Sequence, residues 1–153
     1  MRGRLIVVGG HTRQIGKTTL VVSLLHTLPS ARWIAIKISS HRHGSTLEMT
    51  EEFQPSPDSQ TGRYLEAGAT RAFLYRAPGD HLPAAAARID SLLASGQNVI
   101  VESNRIVAHL RPDLLLFVVA PQVPDWKPSS ALCLRHPGAI LIRSSVKTLP
   151  LPM

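Results

Sequence analysis

The sequence predicts an α/β fold, a three-layer sandwich with a mostly parallel sheet flanked by helices, and three observations predict it. Short apolar runs rich in branched residues alternate along the chain with stretches of helical period. The first run is joined to the first helical stretch by a glycine-bearing corner, Gly10-His11-Thr12-Arg13-Gln14-Ile15-Gly16-Lys17-Thr18-Thr19. The composition, 44% hydrophobic with 18% charged and 5% aromatic residues, is that of a folded aliphatic core. A length of 153 residues suits one domain over 1–153.

Leu5 to Val8 reads as a buried parallel strand, being short, continuous and branched. The helix after Lys17 repeats apolar positions at Leu20, Leu24, Leu25 and Leu28, and Pro29 stops it. Trp33 to Ile38 is the next strand. Ser39 to Pro57 has no clear period and mixes His, Gly, Ser, Pro and acidic residues, the pattern of a long functional loop. A helix from Thr61 ends at Gly68, and Arg71 to Tyr75 forms a third strand. The alanine-rich stretch from Pro83 to Ser95 carries Ile89, Leu92 and Leu93 on one face, with Gly96 as its C-cap. Asn98 to Glu102, Leu114 to Val119 and Ala139 to Ile142 complete six strands, and the proline-bearing tail from Ser144 to Met153 is expected to be irregular.

Composition also excludes. A single cysteine, Cys133 within Ala131-Leu132-Cys133-Leu134, rules out an internal disulfide framework and a cysteine zinc site, and it reads as a buried thiol. The N-terminal apolar run is too short for a signal-peptide core, and no segment is long enough to span a bilayer. A cytoplasmic protein is therefore expected. The formal net charge is +7, yet the seventeen basic residues are scattered without blocks or interleaved aromatics. That pattern fits a basic surface drawing in a nucleotide phosphate better than it fits nucleic-acid binding.

Strand, glycine-bearing loop ending Gly16-Lys17-Thr18, then helix is the layout of a phosphate-binding P-loop. Unpaired N–H groups of the loop and first helical turn converge on one anion position, and the helix dipole adds positive charge there. Gly10, His11, Thr12, Arg13, Gln14, Ile15, Gly16, Lys17, Thr18 and Thr19 are the candidate nucleotide contacts. Lys17 would supply an ammonium to the outer phosphates, and the Thr18 hydroxyl a ligand to phosphate-bound Mg2+. His11 occupies the place of the usual first glycine, with Gly10 one residue further out.

Parallel α/β sheets bind ligands beyond the carboxyl ends of their strands. That edge should gather the loop at 10–18, the segment after Lys37, Glu102 to Arg105 and Pro121 to Lys127. Glu102, closing the apolar run Asn98-Val99-Ile100-Val101, fits the acid that such enzymes place near the metal, to hold a metal-bound water or polarise a nucleophile. Lys37 is a candidate contact to phosphate or to an anionic substrate. His41 and His43 lack a clear third ligand and read better as exposed loop residues than as a metal site. Trp126 serves equally as a lid over the core or a stacking surface. The Asn-Lys-x-Asp signature of guanine-specific enzymes is absent, so GTP and ATP both stand.

With these pieces located, the chain resembles the small P-loop NTPases of the molybdopterin-guanine dinucleotide biosynthesis adaptor type (MobB-like). Four stretches carry the resemblance in order: Val7 to Leu20, Ile34 to Gly44, Arg63-Tyr64-Leu65-Glu66-Ala67-Gly68-Ala69, and Asn98 to Asn104. The loop itself, with five residues between Gly10 and Gly16, is similar to that of dethiobiotin synthetase and cobyrinate amidases. The resemblance implies GTP or ATP with Mg2+ held by residues 10–18, Lys37 and Glu102 nearby, and slow NTPase activity. It implies as partner a molybdenum-cofactor nucleotidyltransferase, and a homodimer as the common assembly. An aspartate that the family places a fixed step before the Ala-Gly-Ala helix falls on Gln60 here, which implies either Asp58, two residues away, as the substitute metal ligand or a weaker metal site. Two alternatives accompany this reading. One is an ATP-dependent ligase or kinase of the dethiobiotin-synthetase kind, and the other is a non-catalytic nucleotide-gated adaptor.

Overall fold

Residues 1–39 and 46–143 are described by the computed structural model. Seven strands form one sheet, β1 (Leu5–Gly10), β2 (Trp33–Ser39), β3 (Glu48–Glu52), β4 (Arg71–Arg76), β5 (Asn98–Glu102), β6 (Leu114–Val119) and β7 (Ala139–Ile142). Their order is β3-β4-β2-β5-β1-β6-β7, and every pairing is parallel except β3 against β4. The helices are α1 (Lys17–Thr27), α2 (Gln60–Glu66), α3 (Leu82–Ala94) and α4 (Ser130–Leu134).

Side chains alternate across the sheet and divide its core in two. Leu5, Val7, Ile34, Ile36, Val99 and Val101 point to one face, where they bury Ile89 and Leu93 of α3 and Cys133 of α4. Ile6, Val8, Ala35 and Ile100 point to the other, against Val21 and Leu25 of α1 and Tyr64 of α2. The sheet is thus covered on both faces, which is why its central strands read as continuous apolar runs. Both α2 and α3 end in the same six-to-one and five-to-two pattern of backbone bonds. Gly68 (φ 108°) and Gly96 (φ 89°) supply the left-handed residue that this termination requires. Pro29 ends α1 as expected and opens a short 3-10 turn over Pro29–Ala31.

The expected loop over Ser39 to Pro57 needs correction, because it contains β3. This strand escapes a periodicity reading because it is an antiparallel edge whose side chains are mostly exposed. Charge pairs hold it instead: Arg71 donates from Nε to Glu51 at 3.0 Å, and Arg76 lies 3.8 Å from Glu48. Charged edges of this kind also discourage pairing with other chains. His41 and His43, with the tail from Ser144, lie outside the described residues. Among the described residues no helix is long and apolar enough to cross a membrane.

Connections leave β1 and β5 in opposite senses. From β1 the chain passes through α1, on one face, and beyond β5 to β2. From β5 it turns through a 3-10 segment (Arg105–Ala108) packed on the other face and crosses β1 to reach β6. Two neighbouring strands whose outgoing segments part to opposite faces open a crevice at their carboxyl ends.

Candidate functional site

The corner between β1 and α1 forms one wall of that crevice. Gln14 (φ 56°) and Gly16 (φ 108°) both take left-handed conformations, folding the loop back on itself before the helix. Helix α1 begins at Lys17 with neither a side-chain cap nor an acidic residue in its first turn. Its leading N–H groups and dipole are therefore left for an external anion. Two glycines let the end of β1 approach its neighbours. A Cβ on Gly10 would stand 2.7 Å from Ile15 Cδ1 and 3.0 Å from the Lys17 stem. One on Gly9 would stand 2.7 Å from Asn104 Oδ1. Asn104 uses that closeness: its Oδ1 accepts from the Gly10 N–H at 2.8 Å and its Nδ2 donates to the Gly10 carbonyl at 2.7 Å. The segment after β5 is thereby fastened to the end of β1.

Beneath the loop lies a buried polar knot. Glu102 is 1% exposed at the end of β5, in register with Lys37 of β2 on one side and Val8 of β1 on the other. Its Oε1 accepts from the Thr18 hydroxyl at 2.8 Å and from the Tyr64 hydroxyl at 2.5 Å, while Oε2 accepts from the Lys37 ammonium. Burial alone would raise the Glu102 pKa. The Lys37 charge and the hydrogen bonds from Lys37, Tyr64 and Thr18 outweigh it and hold the carboxyl below its ordinary range. Tyr64 moves the opposite way, well above 10, through burial, the Glu102 charge and its own bond to Glu102. Gln60, at the start of α2, donates from Nε2 to the Thr18 oxygen at 3.2 Å. The Thr18 proton is thus committed to Glu102, and its oxygen accepts from Gln60 on the cleft side.

His11 does not face the crevice. It is fully buried, and the Ala120 N–H donates to its Nδ1 at 3.3 Å, so Nε2 carries the proton and donates to the Val123 carbonyl at 3.0 Å. Its carbonyl accepts from the Lys127 N–H at 2.8 Å and the Ser130 hydroxyl at 3.0 Å. Trp126 packs on its ring, with centroids 4.6 Å apart. The residue in the place of a glycine is a clamp that fixes the segment 120–130 against the loop, and it carries Lys127 and Ser129 into the crevice.

The result is a cleft of about 540 Å³. Arg13, Lys17, Lys127 and Arg143 line it around the loop, and Lys37, Arg63 and Arg105 line it over β2, α2 and the segment after β5. Among the described residues, Glu102 is the single carboxylate in its wall. Burial, and after it the crowding of cations, lowers the pKa of two of the lysines. Burial, then the charges of Lys37 and Lys127, brings the Lys17 pKa down to about 8. Burial, Arg13 and Lys37 lower that of Lys127. Such a cleft is built for a polyanion.

Of the residues read from the sequence, Arg13, Gln14, Gly16, Lys17, Thr18, Thr19, Lys37 and Glu102 line this cleft. Gly10 contributes backbone and closeness, Thr12 is half-buried outside the lining, and Ile15 is buried with Val118 and Ala120. Asp58 is exposed and does not line the cleft, whereas Gln60 does. Sequence reading named Gln60 only as the place of the family's aspartate and Arg63 only within a resemblance stretch, and it did not single out Ser129 or Arg143. Of those two, Arg143 carried a usable signal, a cation directly after an apolar strand. Cys133 is buried as expected, and burial pushes its thiol up to about 11. Comparisons with protein-family models, curated proteins and solved structures give no match for this chain.

Proposed function

We propose that the chain is a P-loop protein that binds GTP or ATP with Mg2+ and hydrolyses it slowly. One observation carries this reading: Thr18, in the first turn after the glycine-bearing loop, is hydrogen-bonded to the buried Glu102 inside a cleft walled by cations. Loop amides and Lys17 would hold the outer phosphates, with Arg143 and Arg13 beside them. Arg143 is well placed for this, since its guanidinium lies 3.7 Å from where a Gly16 Cβ would be.

The donor set fits a phosphate-bound magnesium ion. Thr18 would offer a hydroxyl oxygen whose proton points to Glu102, in place of its long contact from Gln60, and the remaining ligands would be phosphate oxygens and water. When bound, the ion neutralises phosphate charge. Asp58 has no part in that set. Glu102 accepts three hydrogen bonds and is held strongly ionised, which makes it a weak proton acceptor. Its role is to orient Thr18 and Lys37, and slow turnover follows. Replacing Thr18 by Ala should remove about tenfold of the magnesium-dependent part of nucleotide affinity, with magnesium-free binding little changed and Thr18→Ser restoring it. Titration of a fluorescent nucleotide with and without magnesium reads this, and an unaltered magnesium dependence would contradict the assignment.

The narrower reading is an adaptor of molybdopterin-guanine dinucleotide synthesis, working with a molybdenum-cofactor nucleotidyltransferase. It draws support from convergence. Residues of all four stretches that carry the resemblance meet in one cleft, through Lys17 and Thr18, Lys37, Arg63, and Glu102, with Tyr64 bonded to Glu102 beneath it.

A further inference from the structure

The cations of the cleft fall into two groups. Arg13, Lys17, Lys127 and Arg143 surround the loop that would hold a nucleotide. A nucleoside triphosphate carries about four negative charges near pH 7, about two of them on its terminal phosphate. Those four cations match it, and a bound magnesium ion leaves still less phosphate charge to neutralise. The second group lies over the ends of β2 and β5. Lys37 is compensated there by Glu102. Arg63, from α2 on one face of the sheet, and Arg105, after β5 on the other, are half-buried and pair with no carboxylate among the described residues. Both line the same cleft, next to the Ser39 and Ser103 positions at the strand ends. Two half-buried guanidiniums without a carboxylate partner among the described residues thus line one cleft from opposite layers of the sheet. Their planar forks match carboxylate or phosphate oxygens.

We infer that the Arg63–Arg105 side of the cleft is a second subsite, for a small ligand bearing two negative charges on oxygen, a phosphate monoester or a dicarboxylate, bound beside the nucleotide. This rests on the nucleotide reading and deepens it: the acceptor or co-ligand of the proposed protein is itself an anion. Its place beside Lys37 and Glu102 puts it next to the outer phosphates, where a transfer or a gating response would be felt.

The test is calorimetric. The chain saturated with magnesium and a non-hydrolysable nucleoside triphosphate is titrated with inorganic phosphate and, separately, with succinate. One equivalent of at least one dianion should bind, and Arg63→Ala and Arg105→Ala should each weaken it at least tenfold while changing nucleotide affinity less than threefold. Arg63→Lys and Arg105→Lys, which keep the charge without the fork, should fall between. A preference for phosphate names a phosphate monoester as the natural class, and a preference for succinate a dicarboxylate. Absence of a second equivalent, or dianion binding indifferent to both alanine variants, overturns the subsite. If the nucleotide does not bind, the same dianion titration of the free chain still decides. Arginine-dependent binding then keeps the subsite while the nucleotide reading fails.

Discussion

At the scale of single residues, His11 and Lys17 make the sharpest statements. His11 stands where the common phosphate-loop spacing has glycine, yet both its ring nitrogens are engaged with backbone 109 and 112 residues away in sequence. Restoring the common motif with His11→Gly should therefore damage the protein. It leaves the Ala120 N–H and Val123 carbonyl unpaired, and a destabilisation of about 3–4 kcal/mol is expected in urea denaturation. A variant as stable as the parent that binds nucleotide more tightly would show His11 to be a mere obstruction. Lys17 supplies a pH dependence. With its pKa brought down to about 8 in the free protein, the ammonium that attracts phosphate falls from about nine-tenths to about one-tenth between pH 7 and 9. A triphosphate is already fully ionised over that range, so affinity should fall about tenfold as pH rises. Lys127, also lowered, acts in the same direction. An affinity flat from pH 7 to 9 contradicts the placement of Lys17 against phosphate.

At the scale of elements, the junction of β1 with α1 depends on closeness. Gly10→Ala would drive a Cβ to 2.7 Å from Ile15 and 3.0 Å from the Lys17 stem. The expected loss is about 1–3 kcal/mol of stability, together with a weaker nucleotide affinity because the ammonium is displaced. Retained affinity in a folded Gly10→Ala variant would separate the glycine from the site. The same elements show what a sequence can and cannot reveal. β1, β5 and β6 are readable because both faces of a parallel strand are buried, which leaves an apolar run. β3 is not, since an exposed edge has no face to mark. Glu102 and Lys37 were readable because one closes an apolar strand and the other interrupts one near its carboxyl end, at the edge where ligands bind. Gln60 and Arg63 join them only through the docking of α2, and His11 is a clamp only because the chain returns to it after β6. Those relations lie in tertiary contacts, which spacing along the chain does not encode.

At the scale of the whole molecule, topology and charge meet at one place. The strand order sends the segments after β1 and β5 to opposite faces, and among the described residues the crevice that opens gathers seven basic side chains around one buried carboxylate. A formal net charge of +7, diffuse along the sequence, is therefore concentrated in space where loop amides and a helix terminus already favour an anion. The central claim is that the loop side of this concentration, Arg13, Lys17, Lys127 and Arg143, holds the phosphates of a nucleotide, with Lys17 foremost. Calorimetric titration of the parent and of Lys17→Ala with GTP and with ATP, in magnesium at pH 7, tests it most directly. Loss of a charge-assisted contact of about 1.5–3 kcal/mol should weaken binding roughly ten- to a hundred-fold in a variant that remains folded. Equal affinity in parent and variant, or binding of neither nucleotide by the parent, would contradict the account.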